Sequence, residues 1–258
     1  MKTLILAAGY GTRLYPLTKE YPKPLLPVAK RPILDYIAEK LARIKEITQL
    51  QVITNDKYYK NFLAWADNFK KSSRKYQRLS INVLNDGTKS VEDRLGAIGD
   101  IHFALRQEES TEDVLIFGGD NLFEESLDSF IAFALSKKPQ ASIGVYDIGQ
   151  RELAAKYGVV SLDTSNQIVD FVEKPSVPRS SLIATCLYYI PREKVKYINE
   201  YVQSAHTEKD ASGSFIRWLS SKETVYGFVF NKHWYDIGDP QVYQEADKVF
   251  EKFKKGEE

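Results

Sequence analysis

Five short runs of aliphatic and β-branched residues recur through the first 150 positions, at 2–8, 50–54, 80–84, 113–117 and 141–146. Between them lie 33–44, 58–69, 96–105 and 127–135, where apolar residues recur three and four positions apart, the period of an amphipathic helix. Strands separated by helices must pair through crossovers, and crossovers give a mainly parallel sheet with helices on both faces. The expected fold class is therefore α/β, a doubly wound, Rossmann-like sheet. In such sheets ligands collect beyond the carboxyl ends of the strands, which predicts the position of a site before any motif is considered.

After Gly158 the spacing tightens. Runs at 159–162, 168–172 and 183–190 follow one another closely enough to pair as hairpins, so the sheet is expected to be mixed. Helical patterns at 193–202 and 214–219, a strand at 224–230 and a helix from 241 to about 253 complete the pattern. With no internal repeat or low-complexity linker, one domain spanning 1–258 is the simplest organisation.

Charge and composition exclude some partners. Lys and Arg total 36 against 35 Asp and Glu, so no overall field would draw the chain to nucleic acid or to an anionic membrane. Phosphate affinity, if present, must be local. The one cysteine, Cys186, cannot form an internal disulfide and suits a reducing cytoplasm, where it reads as a small buried hydrophobe. The apolar run at the amino end, Leu4-Ile5-Leu6, is too short for a signal peptide or a membrane span, so a cytoplasmic protein is expected.

The first strand runs straight into Ala8-Gly9-Tyr10-Gly11-Thr12-Arg13-Leu14. A glycine turn there can present successive backbone N–H groups to phosphate oxygens. A dinucleotide fingerprint would have a third glycine at Leu14 and an acid after the second strand, where the chain reads Ile53-Thr54-Asn55. A P-loop would end in Gly-Lys-Ser/Thr, and here the glycines lead into Thr12-Arg13. Neither nucleotide loop fits, and a ligand-free turn is the remaining alternative. Ten residues on, Pro22-Lys23-Pro24 holds a lysine in a proline-stiffened loop, where it loses less freedom on binding than a flexible surface lysine.

Taken together, 6–14, Pro16-Leu17-Thr18 and 22–28 resemble the signature of the sugar-nucleotide pyrophosphorylases, the sugar-1-phosphate nucleotidyltransferases that include glucose-1-phosphate thymidylyltransferase. The resemblance implies that Ala8, Gly9, Gly11 and Thr12 hold the nucleotide, and that Arg13 and Lys23 contact its phosphates. It also implies that 1–150 is mainly the nucleotide-binding part and 151–258 mainly the sugar-phosphate-binding part.

Two acids complete the picture. Gly118-Gly119-Asp120-Asn121 follows a strand, so Asp120 faces the crevice; hard oxygen ligands there suit Mg²⁺, which binds one or two carboxylates together with substrate phosphates. The resemblance implies the same role for Asp120, with Asn121 beside the substrate, and it makes Asp236 in Trp234-Tyr235-Asp236-Ile237-Gly238 the second metal ligand. Asp239 instead reads as the N-cap of the closing helix, with Pro240 at its first position.

On the sugar side, Val172-Glu173-Lys174-Pro175 and the preceding Tyr157-Gly158-Val159-Val160 resemble the family's sugar-contacting segments. The resemblance implies that Glu173 and Gly158 touch sugar hydroxyls and Lys174 the sugar phosphate. Ala184-Thr185-Cys186-Leu187-Tyr188 stands where relatives carry a small polar residue and a glycine, so Thr185 is a candidate contact while Cys186 and Ala184 depart from the pattern. Leu95-Gly96-Ala97 is an altered version of the family's base-reading segment, with Gly96 placed to touch the base through its backbone.

The implied reaction joins a nucleoside triphosphate to a sugar 1-phosphate and releases pyrophosphate, with Mg²⁺ as cofactor. Gly-Gly-Asp-Asn-Leu-Phe is close to the thymidylyltransferase form, which points to dTTP or UTP with glucose 1-phosphate. Two rival readings stand beside it, a glycosyltransferase of similar architecture and a non-catalytic sugar-nucleotide sensor. Homo-oligomerisation is left open by the sequence.

Overall fold

The computed structural model describes residues 1–107, 112–204 and 210–256. Its strands, in chain order, are β1 (Lys2–Leu6), β2 (Pro27–Val28), β3 (Arg31–Pro32), β4 (Gln49–Thr54), β5 (Ser80–Asn85), β6 (Val114–Gly118), β7 (Asn121–Phe123), β8 (Ala141–Asp147), β9 (Gly158–Leu162), β10 (Ile168–Glu173), β11 (Leu182–Ile190), β12 (Val225–Phe230) and β13 (Trp234–Asp236). The helices are α1 (Ile33–Arg43), α2 (Tyr59–Ser72), α3 (Gly96–Gln107), α4 (Asp128–Ser136), α5 (Arg151–Ala154), α6 (Lys196–Gln203), α7 (Ser212–Ser220) and α8 (Pro240–Gly256).

One sheet runs through both halves of the chain. Strands β5, β4, β1 and β6 lie side by side in parallel, and β11 joins β6 antiparallel. From β11 the sheet continues to the antiparallel pair β9 and β10 and branches to β8, which β12 joins in parallel. The expected mixed, doubly wound α/β architecture is what forms. Strands β1, β4 and β6 are buried along almost their whole length because both their faces are covered, while β5 at the edge is only partly buried.

Each face has its own core. One gathers Ile5, Val52, Phe117 and Leu187 against α1, α2 and α4; the other gathers Leu4, Ile53, Ile116 and Tyr188 against α3, α6 and α7. Successive residues of a strand point to opposite faces, so neighbours such as Leu4 and Ile5 go to different cores. In α1, Ile33, Leu34, Ile37, Ala38 and Leu41 are buried at three- and four-residue spacing, which seats the helix on one stripe. Asp239 caps α8 as expected, its Oδ1 accepting from the N–H groups of Gln241 and Val242, both at 3.0 Å.

The one-turn helix α5 and two small ribbons were not expected from the pattern. A two-stranded ribbon pairs β7 with β13, setting Asn121 opposite Asp236, and β2 pairs with β3. Three-residue strands are too short to show a period, yet the β7–β13 ribbon brings together two acidic segments that are far apart in the chain.

Candidate functional site

The loops after β1, β5 and β6 all leave from the carboxyl edge of the parallel strands, where they surround a cavity of about 670 Å³. The loop after β1 is held from two sides. Asn55, at the end of β4, donates from its amide to the carbonyl of Ala8 at 2.8 Å. Thr18 Oγ1 donates to the carbonyl of Gly11 at 2.7 Å. Gly11 has φ +61°, and a Cβ there would lie 3.1 Å from the Thr18 methyl, so both conformation and space call for glycine. Thr12–Leu14 then forms a single 3₁₀ turn that carries Arg13 to the cavity rim.

Behind the loop, the Gly118-Gly119 step lets β6 pass close under β1. The N–H of Gly119 donates to the carbonyl of Leu6 at 2.9 Å, and a Cβ at Gly119 would lie 2.7 Å from that same oxygen. This close approach delivers Asp120 to the cavity wall. Its carboxylate is ion-paired with Lys23 and accepts from the Asn121 amide at 2.8 Å. Asn121 Oδ1 in turn accepts from Trp234 Nε1 at 2.8 Å. The β7–β13 ribbon, closed by the Ile237 N–H on the Asp120 carbonyl at 3.0 Å, brings Asp236 alongside.

The two acids differ in how readily they ionise. Burial pushes the Asp120 carboxyl up, but the Lys23 ammonium and the hydrogen bonds of Lys23 and Asn121 outweigh it and hold Asp120 below the usual range. Asp236 is raised, by burial first and then by the charge of Asp120, with Lys23 and Arg13 opposing. A Cβ at Gly238 would lie 3.4 Å from both Arg13 guanidinium nitrogens and from Asp236 Oδ2, so guanidinium and carboxylate flank the same glycine. Two buried carboxylates that repel one another and open onto a shared cavity form a donor set that fits a hard divalent cation completed by substrate oxygens. Among the described residues no cluster of three or more His, Cys, Asp or Glu forms a self-sufficient metal site.

A second lobe is lined from β9–β11 and the start of α7. Glu173 ends β10 with its side chain 15 % exposed, and with Phe171 it fills the space beside two glycines. A Cβ at Gly158 would lie 3.0 Å from Glu173 Oε2, and one at Gly213 only 2.0 Å away. Lys174 turns at φ +45° and sends a largely exposed side chain to the rim, its Nζ 3.8 Å from Glu173 Oε1. Ser212 shares a hydrogen bond with the Tyr188 hydroxyl at 2.9 Å and lies 3.7 Å from Cys186 Sγ. Burial pushes the Cys186 thiol up to about 12, so it stays a neutral wall residue.

A third lobe extends past Tyr10 between the loop after β5 and the first turns of α3. Asp86 and Asp100 form its polar wall, with Val91 and Ala97 as apolar neighbours. Asp86 Oδ1 accepts from the Thr88 N–H and hydroxyl, both at 2.7 Å, and the two carboxyl groups hydrogen-bond each other. Burial and then the Asp86 charge push Asp100 up to about 8, so the pair shares one proton near neutrality.

Residues 2–252 match the family model described as Nucleotidyl transferase. The chain belongs to that family. Among curated proteins it is 30 % identical over 248 residues to the bifunctional protein GlmU of Methanocaldococcus jannaschii, covering 96 % of this chain and 54 % of that one. It is 27 % identical over 276 residues to a glucose-1-phosphate adenylyltransferase of Rhodopirellula baltica, covering 95 % and 59 %. The chain thus spans little more than half the length of these relatives. In fold it matches a Bacillus anthracis protein assigned as a glucose-1-phosphate thymidylyltransferase and crystallised with sucrose, with TM-score 0.82 and 21 % identity over 97 % of this chain and 95 % of that one. It also matches a UDP-glucose pyrophosphorylase bound to UDP-glucose, with TM-score 0.80 and 20 % identity over 97 % and 98 %.

Within this nucleotidyltransferase fold, nearly all the residues singled out from the sequence meet at one cavity: Ala8, Gly9, Gly11, Thr12, Arg13 and Lys23 from the first loop, Gly96, Asp120 and Asn121 from the centre, and Gly158, Glu173, Lys174 and Asp236 from the second half. Thr185 does not join them. It is fully buried, and its hydroxyl donates to the Gly144 carbonyl at 3.1 Å on the far side of β11. The reason is strand alternation: Ala184, Cys186 and Tyr188 face the cavity, so Thr185 must face the core. Asn121 lines the cavity, but both ends of its amide are spent on Asp120 and Trp234, so it orients the acid. Sequence reading missed Ser212, Gly213, Asp86 and Asp100; among them only Asp100 carried a legible signal, a charge inside an apolar-periodic stretch.

Proposed function

We propose that this protein transfers a nucleotidyl group from a nucleoside triphosphate to a sugar 1-phosphate and releases pyrophosphate. The observation that carries this reading is the juxtaposition of Asp120, Asp236, Lys23 and Arg13 at one end of a cavity whose other end holds Glu173 and Lys174. The curated relatives bear names of the same chemistry. A phosphate oxygen of the sugar 1-phosphate attacks the α-phosphorus in line; the new P–O bond forms as the bond to the β-phosphate bridging oxygen breaks, and pyrophosphate leaves. The nucleophile is already an anion and needs little help from a base, so the barrier lies in bringing two anions together.

Asp120 and Asp236 would hold a Mg²⁺, which when bound would neutralise triphosphate charge. Arg13, on a turn pinned by Thr18, faces the leaving phosphates. Lys23 rests on Asp120 in the free protein and can turn to a phosphate oxygen as the site fills. At 4 Å and an effective dielectric near 20, each such charge pair is worth roughly 4 kcal/mol. Lys174 meets the sugar phosphate at the rim, Glu173 accepts from sugar hydroxyls, and Gly158 and Gly213 leave room for the Glu173 side chain. We assign 1–150 mainly to the nucleotide and 151–258 mainly to the sugar phosphate, with a cytoplasmic location. Among the described residues no helix is long and apolar enough to cross a membrane.

Pyrophosphate release over a grid of ATP, GTP, CTP, UTP and dTTP against sugar 1-phosphates, with and without Mg²⁺, tests this function. Metal-dependent turnover with at least one pair is expected. Release with no pair by folded protein that still binds a nucleoside diphosphate sugar would replace the reading with that of a sensor. The sequence expectation of dTTP or UTP with glucose 1-phosphate enters as one row of the grid. Its motif, 118–123, lies at the acid pair.

A further inference from the structure

Asp120 is backed by a chain of two hydrogen bonds. Trp234 Nε1 donates to Asn121 Oδ1 at 2.8 Å, and the Asn121 amide nitrogen donates to Asp120 Oδ1, also at 2.8 Å. Trp234 and Asn121 are both buried, so water cannot readily replace either partner. The direction of the chain follows from its first member. An indole N–H can only donate, so it draws the amide oxygen to its own side, and the amide NH₂ must then face the carboxylate. A flipped amide would set its oxygen against Asp120 Oδ1 and its NH₂ against the indole N–H, two mismatches in a buried place. Gly118 provides the space, since a Cβ there would lie 2.7 Å from the Asn121 amide nitrogen and 3.2 Å from Asp120 Oδ1. With Oδ1 engaged on this side, Oδ2 is the oxygen that meets Lys23.

We propose that Trp234 is a positioning residue for the metal: its indole N–H locks the Asn121 amide, the locked amide fixes Asp120 Oδ1, and Asp120 Oδ2 is left as the oxygen offered to the cation. This rests on the nucleotidyl-transfer reading above. The indole is itself held in place, edge-on to Tyr157 with ring centroids 5.6 Å apart and 5.8 Å from the ring of Tyr146. Its backbone lies on β13 two residues before Asp236, opposite Phe123, while Asp236 stands opposite Asn121. The Trp234 side chain therefore crosses the ribbon diagonally, from the strand that carries one acid to the residue beside the other. One donor thus ties the orientation of Asp120 to the segment that delivers Asp236. Any large apolar ring would fill this part of the cavity wall; what the indole adds is the N–H. Removing it leaves a buried amide oxygen without its donor and frees the amide to turn, a change of order tenfold in an equilibrium that needs Asp120 aligned.

The test is Mn²⁺ binding to the full chain, followed by electron paramagnetic resonance with and without inorganic pyrophosphate, for wild type, Trp234→Phe, Asn121→Ala and the double variant. Thermal melting verifies folding. No sugar phosphate is present, so a contact between the indole and a sugar does not enter the measurement. Each single variant should lose about tenfold in Mn²⁺ affinity. The double variant should bind no more weakly than Asn121→Ala alone, because the indole acts through the amide. Trp234→Phe with wild-type affinity overturns the proposal. So does a double variant whose loss is the sum of the two single losses, since that would mark independent packing roles. If Trp234→Phe does not fold, Asn121→Ala decides, a tenfold loss supporting the proposal and an unchanged affinity overturning it. Absence of pyrophosphate release by wild type over the substrate grid would strike the nucleotidyl-transfer reading, whereas release by wild type with unchanged Mn²⁺ affinity in the variants strikes only the positioning role.

Discussion

In the unfolded chain the Asp100 carboxyl has its ordinary value near 3.8, and in the folded protein burial and then the Asp86 charge push it up to about 8. Between those values the folded protein keeps a proton that the unfolded chain has released. Stability is therefore highest, as far as this group is concerned, below about pH 4, falls as pH rises, and levels off above about pH 8. Each pH unit inside that window costs about 1.4 kcal/mol per proton, so from pH 6 to pH 9 the contribution is a loss of about 3 kcal/mol. Asp100→Asn removes the proton that is lost while keeping a side chain able to donate to Asp86. Urea denaturation followed by tryptophan fluorescence at pH 6, 7, 8 and 9 measures both proteins. The difference between them isolates Asp100, because every other titrating group is common to the two chains. Wild type should lose about 3 kcal/mol more than the variant over this range. Equal losses would show that Asp100 is already ionised at pH 6 and that no shared proton exists.

The remaining expectations concern the reaction. Asp120→Asn and Asp236→Asn should each fold and lose at least about a hundredfold in rate, while the double variant should be little worse than the worse single one, because both act at one site. Fully additive losses would separate the two acids. Arg13→Ala should mainly lower kcat and Lys174→Ala mainly raise KM for the sugar 1-phosphate; steady-state kinetics with each substrate varied would reveal a reversed assignment. Gly213→Ala puts a methyl 2.0 Å from Glu173 Oε2, so it should raise KM for the sugar phosphate without weakening nucleotide binding. Alanine is the better helix former, and a variant with normal KM would mean that Glu173 does not touch the sugar.

Much of this protein was legible in the order of its residues. Alternation of period-two and helical runs through the first half predicts the parallel strands and the helices on both faces, because burial on two sides demands continuous apolar strands and single-stripe helices. The glycine loop and the Asp120 turn were visible for a local reason: each is set directly beside a strand end, where such a sheet opens, while Lys23 was marked by the prolines on both sides of it. The sugar-side glutamate and lysine were visible through resemblance.

Tertiary structure alone decided the rest. Asp120 and Asp236 meet through a ribbon of two three-residue strands, too short to leave a periodic trace, and only its pairing makes one acid pair out of two distant motifs. Thr185 stood in a segment that already departed from the family pattern, and strand alternation sent it to the core. Asn55 occupies the position where another nucleotide fold would carry an acid, and it serves to pin the glycine loop. Gly213 was invisible because a helix-opening glycine acquires meaning only when Glu173, forty positions earlier (213 − 173), fills the space its side chain would need. Asp86 and Asp100 read as ordinary acids in a loop and a helix. Packing α3 against the loop after β5 buries Asp100 against the half-buried Asp86 and raises both carboxyls, a property of their proximity that neither residue carries in the linear chain.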